Sequence, residues 1–294
     1  SAANIAVGYN WLSGDGGDEL FGGYLWTRKE LWLEKYRRAP RFLRDSIEKI
    51  LLKKSYAPSR EVSLRSLFER FVYDAKMTPA ESFGRRVMSF QPWMKEELFQ
   101  PHIWEALKQE ENSSDLLNSY YEKDAAHSVI DKLFYLDAKV YLPDDLLTKV
   151  DRMSMMHSLE VRVPLLDHKL IELACAIPAS LKFRGRTTKY ILKKTVKNLL
   201  PTSILKQRKQ GFSIPLQSWF RGELAPFAKK MLLAKDSQSQ KYFRIDYIKQ
   251  LLLQHRAGKQ RFGSQIYSLI VFELWCRHNN KAYPIGASLA ELAK

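Results

Sequence analysis

Cysteine is almost absent: the chain of 294 residues holds two, Cys175 and Cys276. That excludes a disulfide-stapled scaffold and any cysteine-rich zinc module. Both lie in apolar helical context and are expected to be buried and inert. Long apolar runs are missing too. The longest stretch without a charge, Ser1 to Gly14, has 14 residues, too short and too polar to span a bilayer. No basic segment followed by an apolar one opens the chain, so no secretory leader is expected. The expected setting is reducing and cytoplasmic, where the sequon Asn112-Ser113-Ser114 carries no weight. The six histidines show no metal-ligand spacing. What remains is 45% hydrophobic and 27% charged, a globular composition, in a chain long enough for one large domain or two ordinary ones.

Acidic residues are scarce in one region. The net charge is +16, and Leu173 to Gly222 contains no Asp or Glu but eleven basic residues. They include Lys182, Arg184, Arg186, Lys189, Lys193, Arg208 and Lys209. Such a stretch attracts polyanions, a nucleotide and its pyrophosphate among them; a solvated face is the equal alternative. No helix-turn-helix, zinc finger or RNA-binding signature accompanies it, so no specific nucleic-acid partner is expected.

Most of the chain reads as helix. Tyr24 to Leu52 is helical, with a break at Pro40. Val129, Leu133, Leu136 and Val140 recur at helical spacing. Pro143 is expected to end that helix, and Asp144 and Asp145 to open another through Ser158. Asp167 is the expected cap of a helix through Ala176, and Thr187 of one reaching Leu200. Ile248, Leu251 and Leu252 mark a further helix, and Ile266 to Cys276 one more. Met153, Met155 and Met156 are expected in a core. Only Asn4 to Leu12 reads as a strand. A strand running into a glycine-rich loop and a helix belongs to a parallel α/β sheet. Its partner strands are expected to lie outside this chain, which then begins within a domain.

The loop after that strand reads Ser13-Gly14-Asp15-Gly16-Gly17-Asp18-Glu19 and continues Leu20-Phe21-Gly22-Gly23-Tyr24. Its glycines let a ligand approach the backbone. Its carboxylates argue against a bare phosphate cradle and suit Mg²⁺, which bridges carboxylate and phosphate oxygens. It is neither a P-loop nor a dinucleotide fingerprint. Gly and Asp are also ordinary turn residues. Ser203-Ile204-Leu205-Lys206 matches a Ser-x-x-Lys pattern but lacks the companion motifs of that chemistry.

The Ser13–Tyr24 segment resembles the signature loop of glutamine-hydrolysing asparagine synthetases. Two further blocks agree in order and spacing. Leu142-Pro143-Asp144-Asp145 through Arg152, running into Leu159–Asp167, is similar to a helix pair of that family. Arg186-Thr187-Thr188-Lys189 through Lys209-Gln210-Gly211-Phe212 is similar to its C-terminal active-site segment. The resemblance implies the helical C-terminal part of an α/β ATP-pyrophosphatase-type domain, mainly α, with at most one or two strands. Residues 1–224 would carry that part, and 225–294 a helical extension.

It further implies an ATP-dependent ligase with Mg²⁺. Aspartate is adenylated on its side-chain carboxylate, ammonia released from glutamine attacks the adenylate, and AMP and pyrophosphate leave. Ser13 and Gly14 match nucleotide-contacting positions. Asp18 matches the acid that holds Mg²⁺–pyrophosphate, and Lys209 the lysine that neutralises charge on the phosphates and the tetrahedral intermediate. Asp15 stands where many members have Glu, needed for the acyl-adenylate; β-lactam-forming relatives have Tyr there, so Asp15 favours amide synthesis. Glu19, Lys149 and Arg152 are further candidates for substrate or pyrophosphate. For Lys149 and Arg152, pairing with acids along the helices is an equal alternative. The chain has neither a glutaminase nor a Ser-Gly-Gly-x-Asp-Ser loop, so it is expected to be inactive alone, and a homodimer is conceivable for a longer parent. An amidotransferase-like relative acting on another carboxylate remains the alternative, as does a basic helical nucleic-acid-binding or scaffold module.

Overall fold

The computed structural model describes residues 11–51, 64–108, 113–123, 128–185, 187–207, 211 and 214–280. The described chain is mostly helical. Strand β1 (Trp11–Leu12) leads to α1 (Gly17–Phe21), α2 (Leu25–Arg37), α3 (Arg41–Leu51), α4 (Leu64–Ala75), α5 (Pro79–Val87), α6 (Pro92–Leu98), α7 (Pro101–Leu107) and α8 (Ser113–Lys123). Helix α9 (Val129–Leu136), a π-helical run (Asp137–Leu147) and α10 (Thr148–Met155) are continuous. Then come β2 (Val161–Arg162), α11 (His168–Ala176), α12 (Ala179–Lys182), α13 (Tyr190–Thr195), α14 (Thr202–Lys206), α15 (Leu216–Trp219), α16 (Ala225–Leu233), α17 (Ile245–Arg256) and α18 (Gly263–Asn280).

The chain divides into two compact units, both discontinuous in sequence. The first comprises residues 1–45, 73–83 and 114–211, the second residues 46–72, 84–113 and 212–294. No helix among the described residues is long and apolar enough to cross a membrane.

In the first unit, β1 pairs in parallel with β2, Trp11 opposite Val161 and Leu12 opposite Arg162. A partner for the strand therefore does lie within the chain. It is only two residues long, which is why alternation could not reveal it. Helix α2 buries Thr27, Glu30 and Leu33 and packs against α9, whose Ile130, Leu133, Phe134 and Leu136 are buried. The buried Glu30 receives Arg37 Nη1 at 2.5 Å and Ser82 Oγ at 3.2 Å. The same guanidinium donates to the carbonyls of Asp74, Ala75 and Met77. One side chain thus satisfies both a buried acid and the end of α4, as buried polar groups require. Thr78 and Glu81 form a reciprocal capping box at the start of α5, at 2.7 and 3.1 Å, with Pro79 as its first residue.

Several expectations change here. Pro143 does not end a helix; it sits inside the π-helical run. Proline lacks only its own N–H, and a wide turn relieves the clash of its ring with the preceding turn. The Pro143 carbonyl accepts from both the amide and the hydroxyl of Thr148, the latter at 2.7 Å. Thr187 caps no helix: it bridges to Arg184, and α13 starts later, behind Lys189. Met153, Met155, Met156 and Cys175 are exposed, while Cys276 is buried. Helical periodicity marked these segments as apolar without saying which side faces the core. Asp167 does cap α11, accepting the Lys169 amide at 3.0 Å.

The second unit has its own core, built on α18. Leu98, Phe220, Ala228, Leu232, Phe243, Ile248, Leu251, Ile266, Leu269 and Ile270 form one buried cluster. Two buried polar groups punctuate it. Glu273 accepts from Arg277, from the Ser237 hydroxyl and from the amides of Gln238 and Ser239. His255 Nδ1 accepts the Phe262 amide at 3.1 Å, tying the end of α17 to the start of α18.

Candidate active site

The candidate loop leaves the sheet from a fixed point: the Ser13 amide donates to the Arg162 carbonyl at 2.9 Å. Ser13 Oγ then donates to Asp15 Oδ2 at 2.5 Å. Gly14 is exposed, and a Cβ there would meet nothing within 4 Å. Backbone at this point faces open space. Gly16 turns the chain at φ +82°, where a Cβ would collide with Leu166; only glycine suits both demands. Helix α1 follows and rests on Leu20 and Phe21, which pack on Ala174 of α11 with Leu170, Ile171 and Ile191 around them. That apolar floor fixes the height of the loop above the unit's interior.

The polar end of α1 faces the other way. Asp18 Oδ1 lies 3.0 Å from Lys189 Nζ. The Asp18 carbonyl accepts from the amides of Gly22 and Gly23. Lys189 is held at φ +52°, uncommon for a residue with a side chain, and its amide donates to the Gly22 carbonyl at 3.2 Å. Backbone and side chain of one lysine thus grip the same turn. A Cβ on Gly23 would overlap the Asp18 carboxylate and come within 2.5 Å of Lys189 Cε. Gly23 therefore makes room for the ion pair.

Glu19 points inward. It is buried and accepts the hydroxyl of Tyr24. The Tyr24 ring stacks on Trp26 at 3.9 Å between centroids and meets Tyr141 edge-on at 5.7 Å. Burial first, and then the Glu19 carboxyl, push the Tyr24 hydroxyl far above the usual phenol range, so it stays protonated and donates.

The structure thus brings Ser13, Gly14, Asp15 and Asp18 into one loop and adds Lys189. Lys149 and Arg152 stand exposed on α10, outside this hydrogen-bonded cluster, and make no ion pair among the described residues. Lys209 lies outside the described residues. Among those described, no three His, Cys, Asp or Glu side chains converge as a metal cage. Sequence reasoning placed Lys189 among the eleven cations and in the third matching block but gave it no role. Its place inside the third matching block was the available signal. Its left-handed backbone and its reach to Asp18 were not.

Residues 10–277 match the family described as asparagine synthase. The chain belongs to that family. It is 31% identical to asparagine synthetase 1, glutamine-hydrolyzing, of Bacillus subtilis over 268 residues, which is 90% of this chain and 39% of that protein. Asparagine synthetase 3 of the same organism is 33% identical over 137 residues, 43% of this chain and 22% of that protein. Amidase chry2 of Gibberella zeae is 31% identical over 97 residues, 31% of this chain and 14% of that protein. The chain therefore spans about two fifths of the first of these relatives. No solved structure matches it.

Proposed function

We propose that this chain forms the C-terminal part of the synthetase site of an ATP-dependent asparagine synthetase. The observation that supports it best is the Asp18–Lys189 pair at the end of a strand–loop–helix turn, in a chain of the asparagine synthase family. A carboxylate and an ammonium side by side suit a polyphosphate that arrives with its cation. Ser13 and the exposed backbone of Gly14 take the nucleotide. Asp18 is the protein carboxylate for Mg²⁺. That ion commonly uses only one or two carboxylates and fills its other positions with waters and phosphate oxygens, so a single acid without a surrounding cage fits it. When bound, Mg²⁺ neutralises charge on the phosphates.

The chain's own groups do the rest. Lys189 turns its ammonium from Asp18 toward pyrophosphate oxygens as charge builds there, and Lys209 adds a second cation. Positive charge placed in this way lowers the barrier by on the order of 3 kcal/mol. Asp15, oriented by Ser13 Oγ, positions the aspartate side chain or accepts the ammonia proton. Glu19 takes no part in the chemistry; it holds the turn through Tyr24. The substrates in this reading are aspartate, ATP and ammonia from glutamine, in a cytoplasmic setting, and turnover belongs to the longer protein.

The test is aspartate-dependent pyrophosphate release by the full-length protein. Asp18→Asn should abolish it, and Lys189→Met should lower kcat at least tenfold with little change in the KM for aspartate. Wild-type turnover in both variants would refute the assignment. A second reading, amide chemistry on another carboxylate, draws on the similarity to a protein named an amidase. Pyrophosphate release that depends on a different acid would select it.

A further inference from the structure

The turn that carries Asp18 rests on an aromatic pair that the synthetase reading does not use. Gly22 ends α1 at φ +72°, and a Cβ there would come within 2.9 Å of the Phe183 ring and 3.1 Å of Phe134 Cζ. The two rings are nearly parallel, with 10° between their planes and 5.8 Å between their centres, and both are buried. The backbone of Gly22 therefore lies directly on the edge of this pair. The same glycine makes two backbone bonds of the turn. Its amide donates to the Asp18 carbonyl, and its carbonyl accepts the Lys189 amide at 3.2 Å. A shift of the rings is thus passed to both residues of the ion pair. Phe183 and Lys189 also belong to one short loop, closed by the Arg184–Thr187 bridge at 2.9 and 3.0 Å. That loop meets Gly22 twice, through a ring and through an amide.

Lys182 completes the arrangement. It ends α12, is 4% exposed and makes no ion pair among the described residues. Its ammonium lies 4.5 Å from the centre of the Phe134 ring. Burial pushes that ammonium below the usual lysine range, while Cys175 and Asp131 act the other way. A buried charge without a carboxylate beside it destabilises a fold, and a ring face offsets only part of that. An apolar side chain of similar size would let this unit fold at least as well. A locally unfavourable residue kept one ring away from the candidate site points to a role in that site.

We propose that Lys182 is a positioning residue for the synthetase reaction: it fixes the Phe134–Phe183 pair under Gly22, and so sets the Lys189 ammonium against Asp18. This rests on the synthetase reading above. Lys182 touches neither substrate nor cation and acts only through the turn.

Pyrophosphate release and thermal unfolding of the full-length protein test it. Lys182→Met keeps most of the side chain and removes the charge. It should lower kcat about tenfold, within the range that misplacing a reacting group costs, and leave the KM for aspartate unchanged. Its melting temperature should be unchanged or raised. Phe183→Leu, which withdraws the ring from Gly22, should lower kcat in the same way. In a Lys189→Met background, Lys182→Met should slow turnover no further, because both act through one ammonium. A lower melting temperature in Lys182→Met would make this lysine a structural cation and overturn the proposal. So would wild-type kcat in Lys182→Met or in Phe183→Leu, or a loss that adds in full to that of Lys189→Met. Wild-type turnover in both Asp18→Asn and Lys189→Met refutes the synthetase assignment itself. Loss in those two with wild-type turnover in Lys182→Met refutes the positioning role alone.

Discussion

Removing one hydroxyl, in Tyr24→Phe, should measurably destabilise the first unit. In the wild type that hydroxyl donates to Glu19, and both residues are buried, at 8% and 2% exposure. The phenylalanine ring keeps the stack on Trp26 and the edge contact with Tyr141, so little packing is lost. What changes is that a buried carboxyl oxygen loses its donor. Leaving a buried acceptor unsatisfied costs about 1–3 kcal/mol, more when it is charged. For a unit of this size that corresponds to a drop of roughly 2–12 °C in its melting temperature. Urea and thermal unfolding, followed by far-ultraviolet circular dichroism, measure it directly. The double variant Glu19→Gln with Tyr24→Phe removes the carboxylate from the pair and should recover part of the loss. A neutral Tyr24→Phe, or a double variant whose cost equals the sum of two full single costs, would refute the account of Glu19 as an inward anchor.

Other outcomes follow from the same structure. Gly23→Ala places a methyl group where the Asp18 carboxylate lies; it should cost about 1–3 kcal/mol of stability and lower pyrophosphate release in the full-length protein at least as much as Lys189→Met. In the second unit, burial raises the Glu273 carboxyl, but Arg277 and the donors of Ser237, Gln238 and Ser239 outweigh it and hold it below the usual range. Its stabilisation is therefore complete above the unfolded value near pH 4.3 and fades as pH falls through the lower folded value, a slope that Glu273→Gln should remove from acid unfolding curves. His255 is pushed down by burial and then by Arg221, so the unfolded chain takes up its proton first. Stability should fall as pH drops below about 6.5, and His255→Gln should flatten that slope. The chain on its own should release no aspartate-dependent pyrophosphate.

Local chemistry made much of this fold legible. Pro40 separates α2 from α3, Asp167 caps α11, and the Gly-Asp loop does connect a strand to a helix, because each depends on a few neighbouring residues. Features set by distant contacts were not legible. The two residues of β2 are too few to show a period, and their role exists only through pairing with Trp11 and Leu12. Proline normally breaks helices, and here the widened turn accommodates Pro143 within a continuous helix. Glu19 looked like one more loop acid; its direction follows from Tyr24, five residues on. At the site, Ser13, Asp15 and Asp18 were named from the loop itself, whereas Lys189 joins them only through the fold.

The Asp18–Lys189 contact also has a schedule. About 170 residues of chain separate its two halves. At the usual ribosomal rate of roughly 5–20 residues per second, the loop emerges some 10–30 s before its lysine. During synthesis the turn must wait as a strand-end loop without its cation, while α2 and α9 can already pair. A nascent chain stalled before residue 189 would therefore hold its α2–α9 pair and lack this charge pair, which makes the lysine the last-arriving part of the Asp18 turn.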